Sequence, residues 1–260
     1  MMILNPYIIN QGDADVAAFL SATGITDSTI ISAIETLVLS LKSNNLWTKL
    51  DLIYPFVGGT ATTHKFNLKD PRDLDAAYRL TFYGGWTHSS TGVLPNGSNG
   101  YADTNYNPYT VYGSAVTEPS HFSFYSRTNS SGLKAILGQY ESSGFYVQIM
   151  PSTTFYYDYP DGRRATASNA NSTGYYVAYN NSTNGKDMWR NNVQLFNVAY
   201  NNGRYTNANL LLSQWGNSSR YSNHELAFIT FGGAHIWDST MASNLYTIVN
   251  TFQTSLSRNV

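Results

Sequence analysis

From residue 121 to residue 233 the chain is a succession of short apolar runs broken by turn formers. The runs are HFSFYSR (121–127), AILGQY, GFYVQIM, TTFYYDY, GYYVAYN (174–180), DMWR (187–190), VQLFNVAY (193–200), NLLLSQW (209–215) and ELAFITFGG (225–233). Segments this short do not carry a helical stripe. Strands of about five to eight residues, punctuated by Gly, Pro, Asn and Ser, are the units of an all-β sandwich or barrel. In the first run Phe122, Phe124 and Ser126 alternate with His121, Ser123 and Tyr125, as on a strand with two unlike faces. Asn191-Asn192, between Trp189-Arg190 and Val193-Gln194, reads as a two-residue hairpin turn, because Asn tolerates positive φ.

The two ends of the chain have a different texture. Asp13 is placed to cap a short helix carrying Val16, Phe19 and Leu20, which Gly24 breaks. Thr26 or Asp27 can cap a second helix. Its apolar residues Ile30, Ile34, Leu37 and Leu41 fall on one stripe at helical period. Such a stripe either packs on its own domain or docks on a neighbouring subunit. The second reading makes residues 1–53 a helical attachment segment and residues 54–260 a β-sandwich domain. At the other end Asp238 or Ser239 caps a helix with Met241, Leu245, Ile248, Phe252 and Leu256 on one face, and Arg258 suits the negative end of its dipole.

Composition narrows the function. The formal net charge is -1 over 260 residues, so the basic footprint of a nucleic-acid binder is missing. Cysteine is absent, which removes disulfides, thiolate nucleophiles and Cys-based metal sites. No run approaches the length of a membrane span, and the first residues lack the pattern of a signal peptide. The 21 Tyr suit half-buried pleated surfaces and wet contact faces alike.

The charge that exists is concentrated in GGTATTHKFNLKDPRD (58–73). A phosphate loop needs a second Gly followed by Lys, which is missing here. The stretch reads better as a junction: the Gly pair turns the chain, KFNL pairs as a strand, and Asp70 with Pro71 opens a helical turn. His64 has no second His at ligand spacing, so a structural hydrogen-bonding role is expected. GGWTHSSTG (84–92) lacks the nucleophile elbow and reads as a turn with a packed aromatic. The remaining histidines, 121, 224 and 235, are scattered. No catalytic residue, metal ligand or cofactor site is assigned.

FYYDYPDGRR (155–164) is the most unusual surface candidate. If extended, Phe155, Tyr157 and Tyr159 share one face and Tyr156 and Asp158 the other, ahead of a Pro160-Asp161-Gly162 turn. A contact loop would present Tyr156, Tyr157, Tyr159 and Arg163 to a ligand or partner. The alternative places the inward Tyr in the core.

Residues 58–104 resemble the opening of a concanavalin A-like, LamG-type jelly-roll domain found in virion structural proteins of tailed bacteriophages. DMWRNNVQL (187–195) resembles the strand–turn–strand hairpin of that fold, with Asn192 where Gly is usual, and residues 225–256 resemble its closing strand and helix. The helical lead-in resembles the segment that often precedes the domain. The resemblance implies a mainly β chain: a concanavalin A-like jelly-roll β-sandwich with an N-terminal helical segment and a C-terminal helix. It implies a virion structural protein, in tail, fibre or capsid decoration, acting in assembly or host adsorption. Its partners would be other virion proteins, further copies of itself and a host cell-surface glycan, with no nucleic acid and no membrane insertion. It would be made in the host cytoplasm and sit on the virion surface.

Two other functions stay open. One is a glycan-binding, lectin-like module. The other is a polysaccharide hydrolase, since the same sandwich hosts glucanases. Those enzymes carry Glu-rich catalytic strands, whereas Glu35, Glu118, Glu141 and Glu225 show no such spacing, so the chain is expected not to be an enzyme.

Overall fold

A computed structural model describes residues 12–113, 115–116, 120–130, 132, 134–139, 146–150, 154–158, 164–181, 185–199, 203–215, 220–233 and 235–260. The helices are α1 (Ala14–Thr23), α2 (Ser28–Ser43), α3 (Ala61–His64), α4 (Pro108–Tyr112) and α5 (Ser239–Ser255). The strands begin with β1 (Leu52–Tyr54), β2 (Thr81–Tyr83), β3 (Trp86–Ser89), β4 (Gly92–Pro95), β5 (Tyr101–Asp103) and β6 (Ala115–Val116). They continue with β7 (Ser120–Ser126), β8 (Lys134–Gly138), β9 (Tyr146–Met150), β10 (Thr154–Asp158), β11 (Arg164–Ser168) and β12 (Gly174–Asn181). The last are β13 (Gly185–Arg190), β14 (Val193–Val198), β15 (Gly203–Arg204), β16 (Leu211–Leu212) and β17 (Leu226–Gly233).

Two antiparallel sheets make a β-sandwich. The first has eight strands in the order β14-β13-β12-β7-β17-β4-β3, with β1 also paired to β17. The second has seven, in the order β11-β10-β9-β8-β16-β5-β2, and a small two-stranded sheet joins β15 to β6. The hairpin expected at Asn191-Asn192 is present, with φ of 47° and 65° and Arg190 opposite Val193. Phe122, Phe124, Ile229 and Phe231 of the first sheet meet Ile136, Leu137, Phe155 and Tyr157 of the second in the sandwich core.

A second core lies on the outside of the first sheet. Val16 and Phe19 of α1, Ile34, Leu37, Val38 and Leu41 of α2, and Leu245, Val249 and Phe252 of α5 pack on Tyr125, Tyr175, Val177 and Phe228. All residues of β7 and β17 are therefore buried. The three helices start where their capping residues placed them: Asp13, Asp27 and Asp238 each accept a backbone N–H of the first turn.

This layer corrects the attachment reading. Ile34, Leu37 and Leu41 are at most 1% exposed, and Ile30 packs beside them, so the stripe is buried within its own chain. The boundary expected between residues 53 and 54 falls inside β1, whose Leu52, Ile53 and Tyr54 lie opposite Phe231, Thr230 and Ile229. Arg258 also departs from its expected place at the helix end. It is 1% exposed and donates to the carbonyls of Phe56 (2.8 Å), Pro55 (3.2 Å) and Ala227 (3.3 Å). Burial, with Arg127 nearby, pulls its pKa down to about 9. Three carbonyl acceptors on one guanidinium tie the end of the chain to the junction that follows β1.

Candidate functional site

The charged stretch at 58–73 is a junction. Thr60 and Thr63 form a capping box on α3, and Asn67 accepts the Ile53 N–H (3.0 Å) while Leu68 N–H donates to Ile53 O (2.8 Å). Its charges pair locally: Lys65 and Arg79 with Asp73, Arg79 with Asp75, and Arg72 with Asp70. The helical turn expected after Asp70 is not formed. Asp70 instead binds the Arg72 side chain, and the next helical turn is the 3-10 segment Asp75–Ala77.

The fold brings His64 to His88, a pairing that sequence spacing could not show. Their Nδ1 atoms are 3.0 Å apart. Gly59 N–H donates to His64 Nε2 (3.2 Å), so the proton of His64 sits on Nδ1 and is offered to His88 Nδ1. Burial, with His88 and Arg258 adding, holds the His64 pKa down to about 3, and burial also lowers His88. The pair is held neutral, with both nitrogens of His64 engaged. Phe56, Phe82 and Trp86 close around it, the first two at 5.8 Å from His64 and 4.7 Å from His88 respectively. Among the described residues no group of three or more His, Cys, Asp or Glu is placed to hold a metal ion.

Of the four residues assigned to a contact loop, Tyr159 and Arg163 lie outside the described residues. Tyr157 is 1% exposed in the sandwich core, where its ring stacks 6.4 Å from Phe196. That corrects its assignment: β10 is an interior strand between β9 and β11, and its odd-numbered residues point inward. Tyr156 faces out, half-buried, with the Arg164 guanidinium 4.6 Å over its ring.

A different aromatic group stands on the outer face of the second sheet. Tyr83 and Tyr101 are directly opposite in the β2–β5 register, and their rings stack at 4.9 Å and 14°. Tyr221 follows at 6.5 Å from Tyr101. Tyr83 is 45% exposed. Local sequence explains the placement. Gly84 has φ of 69°, and a Cβ there would lie 2.0 Å from Asn99 O, so only Gly lets the 84–85 turn nest against the Asn96–Gly100 turn. Gly85 N–H donates to Asn99 Oδ1 and Asn96 N–H to Gly85 O, both at 3.0 Å. The Trp86 indole N–H reaches both Tyr83 O (3.0 Å) and Tyr101 O (3.2 Å). Trp86 is packed as expected, but residues 86–89 form strand β3 where a turn was expected, and its indole N–H bridges the backbones that carry the two rings.

Beside the rings, Asp103 shares Tyr101's face and lies opposite Thr81 and Leu211. Its Oδ1 accepts from Asn105 N–H (2.7 Å) and Asn209 Nδ2 (3.0 Å). Burial pushes the Tyr101 phenol up, with Tyr83, Tyr221 and Asp103 adding.

A scan of protein-family models gives no match, and no curated protein matches the sequence. Solved structures do match in fold. One is of botulinum neurotoxin type C, which depends upon interaction with two ganglioside molecules to enter cells: TM-score 0.53, 13% identity, 81% of this chain and 53% of that one. The binding domain of botulinum neurotoxin DC, in complex with rat synaptotagmin II, gives 0.51 at 10% identity over 80% of this chain and 52% of that one. The binding domain of Paraclostridial Mosquitocidal Protein 1 gives 0.51 at 8% identity over 80% and 52%. This chain spans about half the length of each. The likeness is one of fold: a mainly β, jelly-roll sandwich of the kind used in binding domains.

Proposed function

We propose that the protein is a non-enzymatic, lectin-like recognition module whose ligand is a cell-surface glycan. The observation that carries this reading is the solvent-facing Tyr83–Tyr101 stack, flanked by a carboxylate and amides on one open sheet face. Exposed aromatic faces with a few placed polar groups bind flat, amphipathic ligands. Several described groups with catalytic potential support the non-enzymatic part of the reading. His64, His121 and His224 are buried with lowered pKa, and Glu225 is engaged by Thr91 and Arg127. A β-sandwich neighbour is described with gangliosides, which are glycolipids, and this agrees with a saccharide ligand.

The setting favoured by residues 58–104, 187–195 and 225–256 is the surface of a tailed-phage virion, where such a module acts in host adsorption or decoration. The test is a screen of the purified chain against host-surface polysaccharide and a glycan array, with reducing-end release followed in parallel. Retained glycan without release is the expected result. No binding to any glycan, or release that a single carboxylate substitution abolishes, overturns the reading. Locating the chain in a particle map tests the virion setting separately.

A further inference from the structure

We infer that Tyr83, Tyr101, Thr81 and Asp103 form one saccharide subsite that takes a neutral pyranose. This rests on the recognition reading and adds a place and a ligand class to it. A pyranose has a face of C–H groups and a rim of hydroxyls. The C–H face matches the exposed ring of Tyr83, which Tyr101 backs at 4.9 Å, so the platform is held flat before any ligand arrives. Such pre-organisation lowers the ordering cost of binding. Trp86 and the Gly84–Gly85 turn hold both backbones, so the platform does not depend on a mobile loop for its geometry.

The rim hydroxyls meet Asp103. The Thr81–Asp103 pair lies two residues along both strands from the Tyr83–Tyr101 pair, on the same face and about 7 Å away, which is within the reach of one sugar ring. Among the described residues Asp103 Oδ2 has only the 3.2 Å contact from Asn209 Nδ2, and a carboxylate oxygen accepts two hydrogen bonds, so it can take a hydroxyl. Thr81, directly across the strand pair, adds a hydroxyl that can donate or accept. The charge of the subsite chooses the class. Asp103 makes no ion pair among the described residues and is the only charged side chain on β2 or β5. It receives neutral hydroxyls and repels carboxylate, sulfate or phosphate groups on a sugar.

The experiment is a saturation-transfer NMR and calorimetric titration of the full chain. The probes are lactose, maltose and chitobiose on one side, and sialyllactose and oligogalacturonate on the other. The variants are Tyr83→Ala, Asp103→Asn, and Tyr156→Ala as a control on the same sheet away from the site, each checked for a retained cooperative melting transition. At least one neutral sugar should bind better than both acidic ones. Tyr83→Ala should weaken it about tenfold or more, and Asp103→Asn should weaken it while narrowing the gap to the acidic probes. Tyr156→Ala should leave binding unchanged. If a neutral sugar binds but neither Tyr83→Ala nor Asp103→Asn alters it, the subsite is wrong and glycan recognition stands. If the acidic probes bind as well or better, the ligand class is wrong. If no glycan binds the unaltered chain, both the subsite and the recognition reading fall.

Discussion

The two sheets of this protein are built from similar alternating sequence, yet their outer faces have opposite fates. On the first sheet, Tyr125, Tyr175, Val177 and Phe228 point away from the sandwich core and are buried again under α1, α2 and α5. On the second, Tyr83, Thr81, Arg164 and Thr166 point away from the core and stay open to solvent or half-open. Where the helices cover the first sheet it offers no contact surface, and the proposed subsite therefore lies on the bare one. The difference teaches that an aromatic on a strand is not by itself a candidate contact. What matters is whether the chain has a further layer to lay over it.

The largest test of that contrast is to remove the cover. Truncating the chain before Asp51 deletes α1 and α2 and leaves β1 in place. The fully buried side chains of the outer core would then face water at several positions at once. At about 25 cal/mol per Å² of apolar area, a layer of this size outweighs the net stability of a typical domain. The truncated chain should fail to give a cooperative melting transition. A folded, cooperatively melting sandwich would restore residues 1–53 as a separable attachment segment.

Single substitutions sharpen the same contrast. Leu37→Ala, in the covering layer, and Tyr157→Ala, in the sandwich core, each empty a site no more than 1% exposed. Each should cost about 2–5 kcal/mol in denaturant unfolding. If Leu37→Ala costs less than about 1 kcal/mol, the helical layer is not part of the cooperative core.

Most strands between residues 121 and 233 were legible because turn formers separate runs of strand length, although NLLLSQW (209–215) pairs only over Leu211–Leu212. The covering of the first sheet was not legible there. His121, Ser123 and Thr230 lie on its outer face and read as a polar, solvated side. They are buried and largely paired with one another: Tyr175 OH donates to Ser123 Oγ (2.7 Å), Ser123 meets Thr230 (2.5 Å), and Thr230 meets His121 Nε2 (3.0 Å), while the other nitrogen of His121 has no hydrogen-bond partner among the described residues and its ring stacks 3.9 Å from Trp237. That hydrogen-bond chain offsets much of the penalty that would have marked the face as wet. The candidate site was hidden for another reason. β2, β3 and β5 have three or four residues each, too few for a period, and Tyr83 meets Tyr101 only through long-range register. The local signals that existed were Gly84-Gly85 and Asn96-Gly97, which mark two turns but not that they interlock. FYYDY lies on the same sheet as the Tyr83–Tyr101 pair. Alternation then put Tyr157 inside, as one of the two readings of that segment required.

Protonation offers a smaller handle, confined to buried groups. Burial lowers the pKa of His64 to about 3 and that of His224 to about 4, against the ordinary histidine value of 6.5. In each case the unfolded chain takes up a proton first. Stability is therefore full above about pH 6.5 and is lost as pH falls from there towards the folded-state values. Each histidine contributes a slope of at most about 1.4 kcal/mol per pH unit in that window. Melting temperature should fall steadily below pH 6.5, and His64→Gln should flatten the curve. An unchanged slope in that variant would mean His64 is not held neutral.

The smallest effect on stability is expected on the bare face, and it separates contact from packing. Tyr83 is 45% exposed and its packing partner is the cross-strand ring of Tyr101. A cross-strand aromatic pair contributes about 0.2–1 kcal/mol, so Tyr83→Ala should lower stability by less than about 1 kcal/mol. Trp86→Phe is the informative companion. It keeps an aromatic against Phe82, 5.2 Å away, but deletes the indole N–H that spans Tyr83 O and Tyr101 O. If those two hydrogen bonds only stabilise the fold, Trp86→Phe costs about 1 kcal/mol and changes nothing else. If they hold the ring platform in register, the variant also loosens the Tyr83 and Tyr101 rings, read as averaged ring resonances and a lost nuclear Overhauser contact between them. A melting change without that loosening would make the platform independent of Trp86. The stacked pair would then be held by the β2–β5 register and the interlocked glycine turns alone.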